Sequence, residues 1–126
     1  ILTADIMMQL DMDYDSIAKA GSMLGSGAVI IMDEDTCMVK VLARIAEFYE
    51  EESCGQCTPC REGTKWLSDI LHRFLHKKAV KEDLDLLDSA AGNMQGNTIC
   101  ALADAAAMPV RSFIKEFRTE FEEYLG

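Results

Sequence analysis

Three cysteines, Cys54, Cys57 and Cys60, fall within seven residues as C-x2-C-x2-C, and a fourth, Cys100, follows after 39 intervening residues. No other feature restricts the chain as strongly. A tight triplet of thiols can send its sulfurs to three different metal atoms of one compact group. Gly55 inside the triplet lets the backbone come close without a side-chain clash. A fourth metal position then needs a thiolate from elsewhere, because no fourth cysteine is local. Cys100 is the candidate: it follows a Gly/Asn-rich loop, Gly96-Asn97-Thr98, and precedes Ala101-Leu102-Ala103, which reads as a helix start. The pattern points to a [4Fe–4S] cluster on Cys54, Cys57, Cys60 and Cys100, since thiolates are the usual ligands of such cubanes.

Two rival readings use the same residues. Four thiolates also suit a structural zinc module with all-cysteine ligands, although zinc sites usually show two separated C-x2-C knuckles rather than a triplet plus a single. A C-x2-C pair can act as a redox dithiol, which leaves the third cysteine of the triplet and Cys100 without a role. Five cysteines in a chain with no secretion-type segment do not read as a disulfide framework. Cys37 heads an apolar helical face and reads as a small core residue. His72 and His76, four residues apart, read as a solvated helix face, and the eight methionines as core filler. The glycines at 21, 25 and 27 fit neither phosphate-loop spacing and carry no nucleotide assignment.

At 126 residues the chain is one domain's worth of sequence, and a start at Ile1 reads as a piece cut from a longer chain. A net charge of −10 argues against nucleic acid as a partner, because phosphate binding needs clustered Lys and Arg. The acidic runs Asp33-Glu34-Asp35 and Glu50-Glu51-Glu52 read as solvated surface. No apolar run approaches the ~18 residues of a membrane span, so no direct membrane insertion is expected.

The hydrophobic pattern divides the chain near residue 35. Residues 1–35 have weak periodicity, and Ala28-Val29-Ile30-Ile31-Met32 reads as a short buried strand. From residue 36 the period becomes helical. Thr36 is a candidate cap for a helix whose apolar face is Met38, Val41, Leu42, Ile45 and Tyr49. Thr58 is the expected cap, and Pro59 the first residue, of a second helix bearing Leu67, Ile70, Leu71, Phe74 and Leu75. A third starts near Glu82 with Leu84, Leu87, Ala91 and Met94 on one side. A short Ala-rich helix follows Cys100, and Pro109 opens a last one with Val110, Phe113, Ile114, Phe117, Phe121 and Tyr124 as its stripe. The expected fold is mainly α: an antiparallel four-to-five-helix bundle over 36–126 that holds the cluster, preceded over 1–35 by a short β-containing segment. A helix starting at Thr58-Pro59 points its free N–H groups at the cysteine loop, where they favour an anion. Arg61 and Lys65, one turn apart, are candidates for electrostatic tuning of the cluster.

The run Glu52-Ser53-Cys54-Gly55-Gln56-Cys57-Thr58-Pro59-Cys60-Arg61-Glu62-Gly63 resembles the E-S-C-G-x-C-x-P-C-R-x-G signature of the NADH-binding flavoprotein subunits of respiratory complex I. Thr98-Ile99-Cys100-Ala101-Leu102 resembles the fourth-ligand motif of that family, and Pro109 through Tyr124 its C-terminal helix. Met12 through Ser16 and Ala20 through Gly27 resemble the end of its middle β-rich domain. The resemblance implies that residues 1–35 are the tail of a β-rich (soluble-ligand-binding-like) domain and that 36–126 are the helical [4Fe–4S]-binding domain. It implies single-electron transfer, with the cluster accepting electrons from FMN after NADH oxidation, as part of NADH:quinone oxidoreductase. FMN and NAD would bind in the part of the flavoprotein N-terminal to this piece, so the piece alone would lack NADH activity. Implied partners are that N-terminal part and other hydrophilic-arm subunits of complex I. The implied location is the cytoplasmic side of a bacterial inner membrane or the mitochondrial matrix side. Diaphorase subunits of NAD-linked hydrogenases and formate dehydrogenases share the signature and remain an alternative.

Overall fold

The structure is a computed structural model that describes all of residues 1–126. It is mainly helical, with six helices and two compact units, Ile1–Asp35 and Thr36–Gly126. In the first unit, α1 covers Ala4–Met7 and α2 covers Tyr14–Lys19. Asp13 caps α2: its Oδ1 accepts the Ser16 backbone N–H at 2.7 Å and its Oδ2 the Ser16 hydroxyl at 2.9 Å. Those two bonds, the backbone one first, favour the ionised carboxylate and hold Asp13 below the usual carboxylate range. The strand expected at 28–32 is absent. Ile30 and Ile31 are 82% and 81% exposed, and no strand forms anywhere in residues 1–35. A strand needs a neighbour to complete its ladder, and nothing in this unit supplies one.

The second unit contains α3 (Met38–Glu52), α4 (Thr58–Leu75), α5 (Glu82–Met94) and α6 (Leu102–Glu122). Successive helices run antiparallel, α3 closes against α6, and α4 touches all three others. Its core is built from Leu42, Leu67, Leu71, Phe74, Leu84, Leu87, Met94, Val110 and Phe121, all fully buried. Phe74 and Phe121 meet edge to face with ring centroids 5.7 Å apart.

The face that α3 buries is rotated from the expected one. Val39, Ala43 and Ala46 join Met38 and Leu42 inside, while Val41, Ile45 and Tyr49 are half-buried. Alanine has little side chain to hold helices apart, so a buried face bearing Ala43 and Ala46 can pack closely against its neighbours. The α3 cap is Cys37, not Thr36, and its side chain makes no capping bond. Glu120 of α6 does this instead, its Oε1 accepting the Met38 N–H at 2.8 Å. Cys37 is half-buried rather than core, with Sγ 3.2 Å from the Tyr124 hydroxyl.

Pro109 does not open a helix. It lies inside α6, which runs continuously from Leu102, and the departure from helical angles falls at Phe117 (φ −123°, ψ 26°). A proline inside a helix costs about 3 kcal/mol. Here the buried face Ala103, Ala106, Ala107, Val110, Phe113 and Ile114 continues across it, and burial offsets that cost. At its other end α4 stops in a Schellman turn: Lys77 takes φ +53°, its N–H reaches Phe74 O at 2.9 Å, and Lys78 N–H reaches Arg73 O at 2.8 Å. Buried Asp83 pairs with Arg73 and accepts the Val80 N–H at 3.0 Å, which organises the start of α5. No helix is long and apolar enough to cross a membrane.

Candidate metal centre

Three of the four cysteines come from two loops at one end of α3–α6, and Cys60 from the first turn of α4. After Glu52 the chain leaves α3 through Ser53, in extended conformation (φ −65°, ψ 122°). Gly55 then takes φ +78°, a conformation that a side chain would strain. Cys57, also extended, is the N-cap of α4, so Thr58 is the first helical residue and Pro59 the second, one position later than the sequence suggests. Cys60 follows in the first turn and is 7% exposed, whereas Cys57 is half-buried and Cys54 exposed.

The loop is pinned from the helix that follows it. Arg61 donates from Nη1 to Gly55 O at 2.8 Å and from Nε to Glu62 Oε1 at 2.9 Å. One guanidinium therefore braces the turn and offsets Glu62 at the same time. Thr64 turns its hydroxyl back to Cys60 O at 2.8 Å and is buried. Gly63 faces α5 so closely that a Cβ there would lie 2.6 Å from Cγ and Sδ of Met94. The glycine of this segment is thus needed for helix packing rather than for its own backbone angles.

The second loop, between α5 and α6, carries Cys100. Gly96 takes φ +70°, and its N–H is accepted by Asp104 Oδ1 at 2.8 Å. Asn97 donates its side-chain amide to Asn93 O at 3.0 Å and Gln95 O at 3.2 Å. Thr98 donates its hydroxyl to Cys100 O at 2.9 Å. The two loops meet where the Ile99 N–H reaches Cys57 Sγ at 3.5 Å, which puts Cys100 next in chain to a residue in contact with the triplet. Cys100 is exposed and Ile99 is 87% exposed.

All five thiols are free. No three His, Cys, Asp or Glu side chains converge closely enough to hold a single ion. Lys65 lies 3.4 Å from Asp69 and 4.0 Å from Glu50, so its charge is shared with carboxylates along α3 and α4. Sequence reasoning missed Ser53, whose Oγ sits 3.3 Å from Cys60 Sγ, and the backbone N–H of Ile99. A seven-residue separation across a helix junction leaves no periodic signal.

The histidines stand apart from the cysteines. His72 Nε2 is 2.9 Å from Glu47 Oε1, and the His76 ring is bonded to His72 O at 2.7 Å. Glu47 is held below the usual carboxylate range, first by its hydrogen bond to Arg44 and then by His72.

The pattern of one family, described as the NADH-ubiquinone oxidoreductase-F iron-sulfur binding region, matches residues 40–124. The chain belongs to this family. All four cysteines of the triplet-plus-one pattern lie inside the matched region and Cys37 lies outside it. The F subunit of the NADH-quinone oxidoreductase of Rickettsia felis is 47% identical over 117 residues, covering 93% of this chain and 28% of that protein. The F 1 subunit of the Rhizobium meliloti enzyme is 48% identical over 112 residues, covering 89% of this chain and 26% of that protein. The chain thus spans little more than a quarter of these relatives. Among solved structures, that of an NAD+-reducing [NiFe]-hydrogenase in the H2-reduced state superposes with a TM-score of 0.72 at 33% identity, covering 75% of this chain and 17% of that one. Membership in an iron-sulfur binding family agrees with the sulfur-only donor set.

Proposed function

We propose that residues 36–126 hold a [4Fe–4S] cluster on Cys54, Cys57, Cys60 and Cys100. In the longer flavoprotein of which this is a part, the domain receives single electrons from FMN after NADH oxidation in an NADH:quinone oxidoreductase. The carrying observation is the family match over the segment that contains all four cysteines and excludes the fifth. The residues fit the group. The donors are thiols only, Cys60 is buried, and two sulfurs have hydrogen-bond donors at hand: the Ser53 hydroxyl at Cys60 and the Ile99 N–H at Cys57. Bound there, a cluster of this type takes up and gives back one electron at a time, at a potential set by charge, hydrogen bonds and exposure.

The chain's own residues set those terms. Arg61, held at the loop by Gly55 O, supplies a positive charge at the cysteine loop and favours the more negative, reduced state. Lys65 adds less, because Asp69 and Glu50 already share its charge. The N-terminus of α4 adds partial positive charge behind Cys57 and Cys60. A zinc module is the weaker reading: zinc sites usually show two separated C-x2-C knuckles, whereas this chain has a triplet plus a single cysteine and matches an iron-sulfur binding family.

FMN and NAD are assigned to the N-terminal part of the flavoprotein, and residues 1–35 to the tail of the β-rich domain between. Partners are then that N-terminal part and neighbouring hydrophilic-arm subunits, on the cytoplasmic or matrix side of the membrane. The likeness to the hydrogenase structure supports a second reading, the equivalent domain of a hydrogenase diaphorase subunit.

The test is metal analysis of the chain purified without oxygen. About four irons and four acid-labile sulfides per chain are expected, with broad visible absorption that dithionite bleaches and NADH alone does not. A colourless protein carrying zinc overturns the assignment. Rapid bleaching by NADH without added flavoprotein overturns the placement of the flavin outside this piece.

A further inference from the structure

Ser53 has two neighbours that together determine what its hydroxyl can do. Its Oγ lies 3.3 Å from Cys60 Sγ, and the same Oγ accepts the Gly55 N–H at 3.4 Å. A serine hydroxyl has one proton to donate and two lone pairs. With one lone pair facing Gly55, the proton is free to point at Cys60. A thiol Cys60 could itself be the donor in this pair, but a ligand thiolate has no proton, so in the loaded site the serine must donate. Cys60 is the buried member of the triplet, so water competes poorly for its sulfur.

We propose that Ser53 is a positioning and tuning residue for the cluster: its O–H donates to the Cys60 thiolate and raises the reduction potential of the centre. This rests on the ligation proposed above. Reduction adds one negative charge to the cluster and its sulfurs, so a hydrogen bond donated to one of those sulfurs is stronger in the reduced state than in the oxidised one. The position is rigid for three reasons. Ser53 ends α3, Cys60 is fixed in the first turn of α4, and these two helices pack against each other along their length. The contact therefore survives movement of the exposed parts of the loop at Cys54 and Gln56. It also ties the buried ligand to the end of α3.

The experiment uses the complete subunit in its complex, with Ser53→Ala, Ser53→Thr and Ser53→Val. Threonine and valine have the same shape and differ by the hydroxyl. Iron and sulfide content are measured first, then the midpoint by redox titration followed by electron paramagnetic resonance. Ser53→Ala is expected to keep its iron and to shift the reduction equilibrium about three- to tenfold toward the oxidised form, about 30 to 60 mV lower for a one-electron couple. Ser53→Thr is expected to stay near the wild-type midpoint and Ser53→Val to fall with alanine. An unchanged or raised midpoint in Ser53→Ala, or equal midpoints for threonine and valine, overturns the proposal. Loss of iron from alanine and valine with full iron in threonine also overturns it, in favour of a purely structural hydroxyl. Wild-type protein without iron would instead remove the ligation on which the proposal rests.

Discussion

The two ends of the α3–α6 unit both carry cysteine, and they treat it differently. At the end where α3 starts, polar groups satisfy one another. Cys37 meets the Tyr124 hydroxyl, Glu120 takes the Met38 N–H, Asp83 takes Arg73 and the Val80 N–H, and the Gly126 N–H closes onto Ala79 O at 3.0 Å. At the end where α3 finishes, hydrogen bonds hold the loops in shape while Cys54 and Cys100 remain exposed. Fifteen residues of α3 separate the ends, about 22 Å of helix. The settings differ accordingly: Cys37 is tied to a tyrosine between chain segments, whereas Cys54, Cys57 and Cys100 lie in braced loops beside Cys60, buried in the first turn of α4.

Replacing the cysteines puts this contrast to its most direct test. Cys57→Ala and Cys100→Ala are each expected to abolish the four-iron cluster, whereas Cys37→Ala keeps full iron content. Iron and sulfide analysis of the three variants checks this, and a fully loaded Cys100→Ala protein would refute the assignment.

Gly63→Ala probes the packing that positions the cysteine end. The added methyl would meet Met94 at Cγ and Sδ, both 2.6 Å away, and this side chain is fully buried, so relief requires either a new Met94 rotamer within the core or movement of α5. Overpacking of this kind costs about 1 to 3 kcal/mol. Denaturant unfolding should show that loss, and the same Gly63→Ala change should cost much less when made in a Met94→Ala background, because the two sites are coupled.

Arg61→Gln isolates the electrostatic side of the cysteine end. At an effective dielectric of ~20 and a separation of ~8 Å, a unit charge is worth about 2 kcal/mol, or at most about 90 mV in a one-electron midpoint. The side chain is 48% exposed, so screening brings the expected drop below that ceiling. Arg61→Lys keeps the charge while losing the two-pronged brace to Gly55 O and Glu62, and should retain more of the potential. A midpoint that does not fall in Arg61→Gln, with the cluster assembled, leaves Arg61 as a brace only.

The smallest effect concerns the opposite end. The hydrogen bond to Cys37, followed by burial, raises Tyr124 above its ordinary value of 10.0. A tyrosine raised in the folded state contributes stability that is present below the unfolded pKa and is lost as pH rises through the folded one. Wild-type protein should therefore lose stability above about pH 10 by an increment that Tyr124→Phe does not lose. Parallel pH slopes for the two proteins in chemical unfolding would show that the contact does not perturb the tyrosine.

Much of the molecule is legible in its residues. The four-cysteine spacing is visible, and so are the faces of α4 and α5, because both helices bury long aliphatic side chains at regular 3–4 spacing. The departures share a cause. The apolar run at 28–32 has strand composition, but a ladder needs a partner that residues 1–35 do not contain. Pro109 looks like a helix start, yet burial on both sides carries α6 through it. Local residue preference puts a cap at Thr36, whereas α3 is capped from 82 residues away by Glu120.

The amino-acid order suffices for the groups with distinctive chemistry and regular spacing: the triplet and its distant fourth cysteine, the helical periods, and the acidic surface. Which groups meet across element boundaries was settled only by folding. It put the Ser53 hydroxyl on Cys60, the Ile99 N–H on Cys57, Gly63 under Met94 and Cys37 against Tyr124. Periodicity reports which face of one helix is apolar. A contact between two elements depends on their relative rotation and distance, which small residues such as Gly63, Ala43 and Ala46 set by how closely they let backbones approach.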